Sequence, residues 1–101
     1  MSVDIEVNID EKIKQRTIVP SKYKVILLND DATPMDWVVA LLQEIFKHSS
    51  TTAQQLMLTV HEEGSAVCGI YTYEIAEQKS VEAITLSRDN GFPLQFRLEQ
   101  E

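Results

Sequence analysis

Tyr23 to Leu28 reads YKVILL, an apolar, β-branched run of the kind that forms a buried strand, and it stops abruptly at Asn29-Asp30-Asp31. Such a strand needs pairing partners and a cover. The pattern that follows supplies both. Thr33-Pro34-Met35-Asp36 is a helix start: Thr33 is placed to cap, Pro34 suits the first helical position, and Asp36 stands where a capping-box acid belongs. Val38, Leu41, Leu42, Ile45 and Phe46 then recur at helical spacing, to an end near residues 48–50. A second helix is expected from a Thr51/Gln54 capping box to Gly64, with Ala53, Leu56, Met57 and Val60 inward. Met57 and His61, four apart, share a side of it.

Ser65 to Thr72 reads as a strand. Thr72 then caps a third helix running to about Asn90, with Ile75, Ala76, Ala83 and Ile84 inward and Lys79 and Glu82 facing more outward. Gly91 and Pro93 end it, and Leu94, Phe96 and Leu98 alternate with Gln95 and Arg97 in a closing strand. The order β-α-α-β-α-β predicts an α+β fold: one small sandwich, a three-stranded antiparallel sheet with its helices on one face. Residues 22–101 form this core domain. Residues 1–21 read as a flexible N-terminal arm, in which Val3, Ile5, Val7 and Ile9 alternate with polar residues and suit a strand at a sheet edge, of this chain or of a partner.

At 101 residues the chain has room for one domain, and its formal net charge of −7 opposes a nucleic-acid partner, which would need clustered Lys and Arg. Cys68 is the only cysteine, so no internal disulfide forms. A lone thiol, with no secretory signal, transit peptide or membrane-length apolar run, leads us to expect a cytoplasmic protein without membrane contact.

Two readings are open for Asn29, Asp30 and Asp31. Asn and Asp satisfy turn backbones with their own side chains. Their oxygens are also acceptors for an ammonium group, which offers only donors. Met35 and Val38 follow directly, and Met57 lies one turn before His61, so an apolar pocket rimmed by acceptors is a plausible shape. The rival from another class is a small metal-dependent hydrolase using Asp30, Asp31 and His61. One His with sequence-adjacent acids is weak metal spacing, and HEEG is not a zinc-helix motif. No serine sits in a nucleophile elbow, Cys68 has no evident base, and no glycine-rich loop suggests a cofactor. A non-enzymatic protein without cofactor is the expectation.

The segments YKVILLNDDATPMDWVV, QQLMLTVHEEGSAVCG, EIAEQK and FPLQFRLE resemble the ClpS family over about residues 22–99. These are the adaptors of Clp proteases that select proteins by their N-terminal residue. The resemblance implies a small α/β sandwich. It implies that Asn29, Asp31 and His61 hold a peptide's free α-amino group, and that Asp30 and Thr33 shape the loop and contact the peptide. It further implies a first-residue pocket of Met35, Val38, Met57 and Leu94, preferring Phe, Tyr, Trp and Leu. Glu74 and Lys79 would dock on the N-terminal domain of an AAA+ unfoldase of the Clp type. The equivalent module working with a ubiquitin ligase is disfavoured for a free-standing chain of this length. Trp37 stands where the family more usually has Phe, and is expected to pack behind the site.

Overall fold

The computed structural model describes residues 20–101. Apart from Pro20 and Ser21, the expected arm and its strand lie outside the described residues. The elements are β1 (Lys22–Leu28), α1 (Met35–Glu44), α2 (Ser50–Glu63), β2 (Ser65–Thr72), α3 (Tyr73–Asp89) and β3 (Phe96–Gln100), in the expected order. The sheet has three strands ordered β2-β1-β3, with both pairings antiparallel. The central position of β1 explains its composition. Val25, Ile26 and Leu27 are all buried, although successive side chains of a strand point to opposite faces. Val25 and Leu27 join the core under the helices, while Ile26 lies on the other face beside Val67.

The β1–β2 register slips between Val25 and Ile26, which pair with Gly69 and Val67, so Cys68 is the extra residue of a bulge. Cys68 is only 1% exposed, and burial pushes its thiol up to about 12. A thiol must ionise to attack an alkylating agent. Native protein is therefore expected to resist iodoacetamide at mildly alkaline pH and to be alkylated only on unfolding, as mass spectrometry would show. Prompt alkylation of the native chain would contradict this burial.

Several local expectations are corrected. Thr33 does not cap α1: Pro34 occupies the cap position with no side-chain bond, and the Thr33 hydroxyl donates to Asp30 instead. Asp36 likewise makes no capping box; its carboxylate accepts from the adjacent Trp37 N–H at 2.9 Å. α1 ends at Glu44, several residues early. The chain turns away at Lys47, whose φ of 61° is left-handed without help from glycine. Bonds from distant segments hold that turn: Lys79 Nζ donates to the Ile45 carbonyl at 2.9 Å, and His48 Nε2 donates to the Cys68 carbonyl at 2.5 Å. They satisfy carbonyls that a helix end or an interrupted strand would leave orphaned.

The cap of α2 is Ser49, whose hydroxyl accepts from Thr52 N–H at 3.2 Å, and Gln54 donates to Ser50 rather than completing a box with Thr51. Gly64 ends α2 as expected, at φ 92°. Leu56, expected inward, is only half-buried.

α3 shows the largest difference. Its buried face is Ala76, Ser80, Ala83 and Ser87, whereas Ile75 is 46% exposed. Small side chains let this helix lie close across all three strands, and a search for large apolar residues misses that face. Ser87 meets its own polar need by donating to the Ala83 carbonyl at 2.7 Å. Lys79, expected outward, is half-buried by its bond to Ile45. β3 begins at Phe96, so Leu94 precedes the strand, yet it is 2% exposed.

Candidate functional site

The site grows from the end of β1. Leu28 N–H donates to the Gln95 carbonyl at 3.1 Å, and Asn29 N–H donates to the Gly64 carbonyl at 2.9 Å. These two bonds pin the loop between the approach to β3 and the C-terminal end of α2. Asp30 then folds the loop on itself. One carboxylate oxygen accepts from Ala32 N–H at 3.2 Å, and the other accepts from the Thr33 hydroxyl, which is buried. The loop is thus a turn built on an aspartate side chain. The turn reading holds for Asp30, whereas Asn29 and Asp31 make no side-chain hydrogen bond among the described residues and are exposed at the same loop.

Beneath the loop lies a pocket of about 140 Å³. Its polar rim is Asn29, Asp30, Asp31, Thr33 and His61, and its apolar wall includes Met35, Val38, Met57 and Leu94. The nine residues proposed from sequence for the amine, the loop and the pocket therefore converge on one cavity. Three lining residues were missed: Leu27, Leu28 and Val60. The helical pattern puts Val60 on the inner face of its helix, next to His61. The two leucines look like ordinary strand residues in the sequence, and only the loop's placement makes them walls.

Part of the pocket is held by core packing. Val38 and Met57 are core residues of α1 and α2. His61 lies one turn after Met57, in the last turn of α2, and is exposed. The carbonyl end of a helix carries partial negative charge and favours a cation. Met35, at the start of α1, is 46% exposed while lining the pocket, so it stands at the mouth and not in the floor.

Trp37 packs edge-on against Phe92, with ring centroids 4.9 Å apart, and does not line the cavity. Glu74 and Lys79 lie on α3, outside it. Glu74 is exposed beside Tyr73, while Lys79 reaches the Ile45 carbonyl with its ammonium 5.5 Å from the Tyr71 ring centroid.

Among the described residues no Lys or Arg lines the pocket. The rim offers a carboxylate not used by the turn, an amide oxygen and an imidazole; the walls offer burial. A cavity of this size, at ~30 Å³ per water, displaces only a few waters and takes one large side chain. Such a site favours a ligand with a cationic head and an apolar body. It defines a binding module of the peptide-recognition kind.

The comparisons agree. The family model described as ATP-dependent Clp protease adaptor protein ClpS matches residues 19–97. ATP-dependent Clp protease adapter proteins ClpS of Burkholderia thailandensis and Burkholderia cenocepacia are each 50% identical over 90 residues, covering 89% of this chain and 86% of theirs. The solved structure of Agrobacterium tumefaciens ClpS2 bound to L-phenylalaninamide superposes with a TM-score of 0.80 at 44% identity, covering 82% of this chain and 100% of that one. The chain belongs to the ClpS family of Clp protease adaptors, and so to a family of adaptors and not of enzymes.

The hydrolase alternative finds no support. Asp30 is engaged by Ala32 and Thr33, and among the described residues no three His, Cys, Asp or Glu side chains are grouped to hold a metal ion.

Proposed function

We propose that the pocket binds the first residue of proteins that begin with Leu, Phe, Tyr or Trp, and that the protein hands them to a Clp-type AAA+ unfoldase for degradation. The observation that carries this reading is the junction of an apolar cavity with a rim of acceptors. A free N-terminus with a large apolar side chain has the matching form: three N–H donors and a positive charge beside an oily group. L-phenylalaninamide, bound by the similar ClpS2, has that form too. In this reading Asn29, Asp31 and His61 accept from the α-ammonium, with His61 neutral, and Asp30 and Thr33 hold the loop in place. Met35, Val38, Met57 and Leu94 receive the side chain, which contributes roughly 25 cal/mol per Å² buried before the costs of association.

The test is a set of peptides that differ only in the first residue, titrated by fluorescence anisotropy. Binding by Leu, Phe, Tyr and Trp and not by Ser, Glu or Lys supports the assignment; indifference to the first residue refutes it.

Delivery requires a second surface. We assign docking on the N-terminal domain of the unfoldase to Glu74 and Lys79, and the cytoplasm as the compartment. Among the described residues no helix is long and apolar enough to cross a membrane. The bond from Lys79 to the Ile45 carbonyl shapes the docking test. Lys79→Glu would leave that carbonyl without its donor, at a cost of about 1–3 kcal/mol of stability, and so mixes two effects. Glu74→Lys touches no internal bond of this kind. It should leave peptide affinity unchanged and lower the melting temperature by no more than a few degrees, through loss of the acid in the first turn of α3, while lowering affinity for the unfoldase's N-terminal domain. Normal delivery by the Glu74→Lys protein would remove Glu74 from the docking surface.

A further inference from the structure

α3 exposes more apolar surface than a solvent-facing helix needs. Ile75, Val81 and Leu86 are 46%, 56% and 37% exposed. Beside α1 this surface forms an open groove of about 400 Å³, lined by Ile45, Val81, Glu82, Thr85, Leu86 and Asp89. Among the described residues its charged lining is wholly acidic. Of the two cations on α3, Lys79 is engaged by Ile45, and Arg88 is not among the lining residues.

The chain carries a segment of opposite character. Residues 12–19 read Lys-Ile-Lys-Gln-Arg-Thr-Ile-Val, with three cations, no acid and three β-branched apolar residues. This segment meets the folded domain at the start of α3, because Pro20 and Ser21 line a recess together with Thr72, Tyr73 and Glu74.

The lengths agree. Along a helix at 1.5 Å per residue, Glu82 lies about 14 Å and Asp89 about 24 Å from Tyr73. An extended chain at ~3.3 Å per residue places Arg16 about 13 Å and Lys12 about 26 Å from Pro20. Arg16 thus comes level with Glu82, and Lys12 with Asp89.

We propose that residues 12–19 dock along the exposed face of α3, with Arg16 and Lys12 against Glu82 and Asp89 and the apolar side chains over Val81 and Leu86. Tethering makes this an intramolecular contact, so modest complementarity is sufficient. The docked segment shares α3 with Glu74. On the docking reading given above, which this consequence rests on, the unfoldase and the chain's own N-terminal segment compete for one helix.

The test uses the full chain with Gln15→Cys carrying a nitroxide. Cys68 is 1% exposed and stays unlabelled. Amide signals from Val81 to Asp89 should broaden and recover when the nitroxide is reduced, while those of Val67 and Ile70 on the open face of the sheet stay sharp. Glu82→Lys combined with Asp89→Lys, both exposed positions, should abolish the broadening. In parallel, trypsin should cut after Lys12, Lys14 and Arg16 several-fold more slowly in the native chain than in a free peptide of residues 8–21, and the double variant should lose that protection. Uniform spectra, broadening centred on the sheet face, or equal cleavage rates would each overturn the proposal. None of these readouts involves the unfoldase, so failure of the Glu74 assignment is seen separately.

Discussion

Acetylating the α-amino group of a Phe-start or Leu-start peptide is expected to lower its affinity at least about 100-fold. The ammonium presents three donors and a charge, and acetylation leaves one donor and none of the charge. Asn29 and Asp31 are exposed when the pocket is empty, so water satisfies them. A bound peptide displaces that water. Without the ammonium, each acceptor so covered costs about 1–3 kcal/mol, and 100-fold corresponds to only about 2.7 kcal/mol. Substituting the rim should give the reciprocal result: Asp31→Ala and His61→Ala each weaken the free-amine peptide severalfold or more, while the acetylated one binds either variant at least as well as the parent, because the acceptor it left unpartnered is gone. Anisotropy titrations of both peptides against the three proteins measure all of this. Equal binding of free and acetylated peptides would show that the rim does not hold an amine.

Met35→Ala is expected to admit β-branched first residues, raising affinity for Ile-start and Val-start peptides roughly tenfold or more, about 1.4 kcal/mol. Ile and Leu have the same carbon count, so burial alone does not separate them. The branch is what differs: Ile and Val carry an extra carbon at Cβ, next to the pocket mouth, and their χ1 is stiff. Met35 lines the cavity while remaining 46% exposed, and on the proposed function it crowds that carbon and lets unbranched Leu pass. The discrimination is then a clash built against the wrong ligand. Leu and Phe peptides should change far less. The same exposure separates this role from a packing role. A buried Met replaced by Ala costs about 2–5 kcal/mol, whereas a surface substitution usually stays within about 0.5 kcal/mol. The melting temperature should therefore barely move. A variant that still rejects Ile while binding Leu normally, or one that melts far below the parent, would end the gatekeeper assignment.

Much of the pocket was legible because its signals are local. Asn29-Asp30-Asp31 after an apolar run marks a turn whatever its partners, and the spacing of Met57 and His61 places both on one side of a helix. The resemblance to the ClpS family supplied the identity of the ligand, which spacing alone does not contain. The misreadings share a cause as well. Thr33 has the right chemistry for a helix cap, yet its hydroxyl is drawn to Asp30 by a loop closure the helix rule does not include. Ile75, large and apolar, looks like an inward residue in the sequence, but the face of α3 that meets the sheet is made of Ala and Ser. Lys79 looked like a surface charge until α1 ended early and offered it the Ile45 carbonyl.

The sequence by itself determined the order and type of the elements. Periods of two and of 3.6, with Gly64, Gly91 and the polar turns as punctuation, act over a few residues and survive any tertiary arrangement. It also determined that acceptors would follow β1 directly. Only the tertiary structure decided that β1 is the central strand, that Lys47 takes the left-handed turn a glycine would usually take, and that Leu94 reaches the pocket from outside its strand. The pocket joins residues 27–38, 57–61 and 94. Local preferences cannot bring those segments together. The antiparallel pairing of β1 with both neighbours does so, along with the two backbone bonds that tie Leu28 to Gln95 and Asn29 to Gly64.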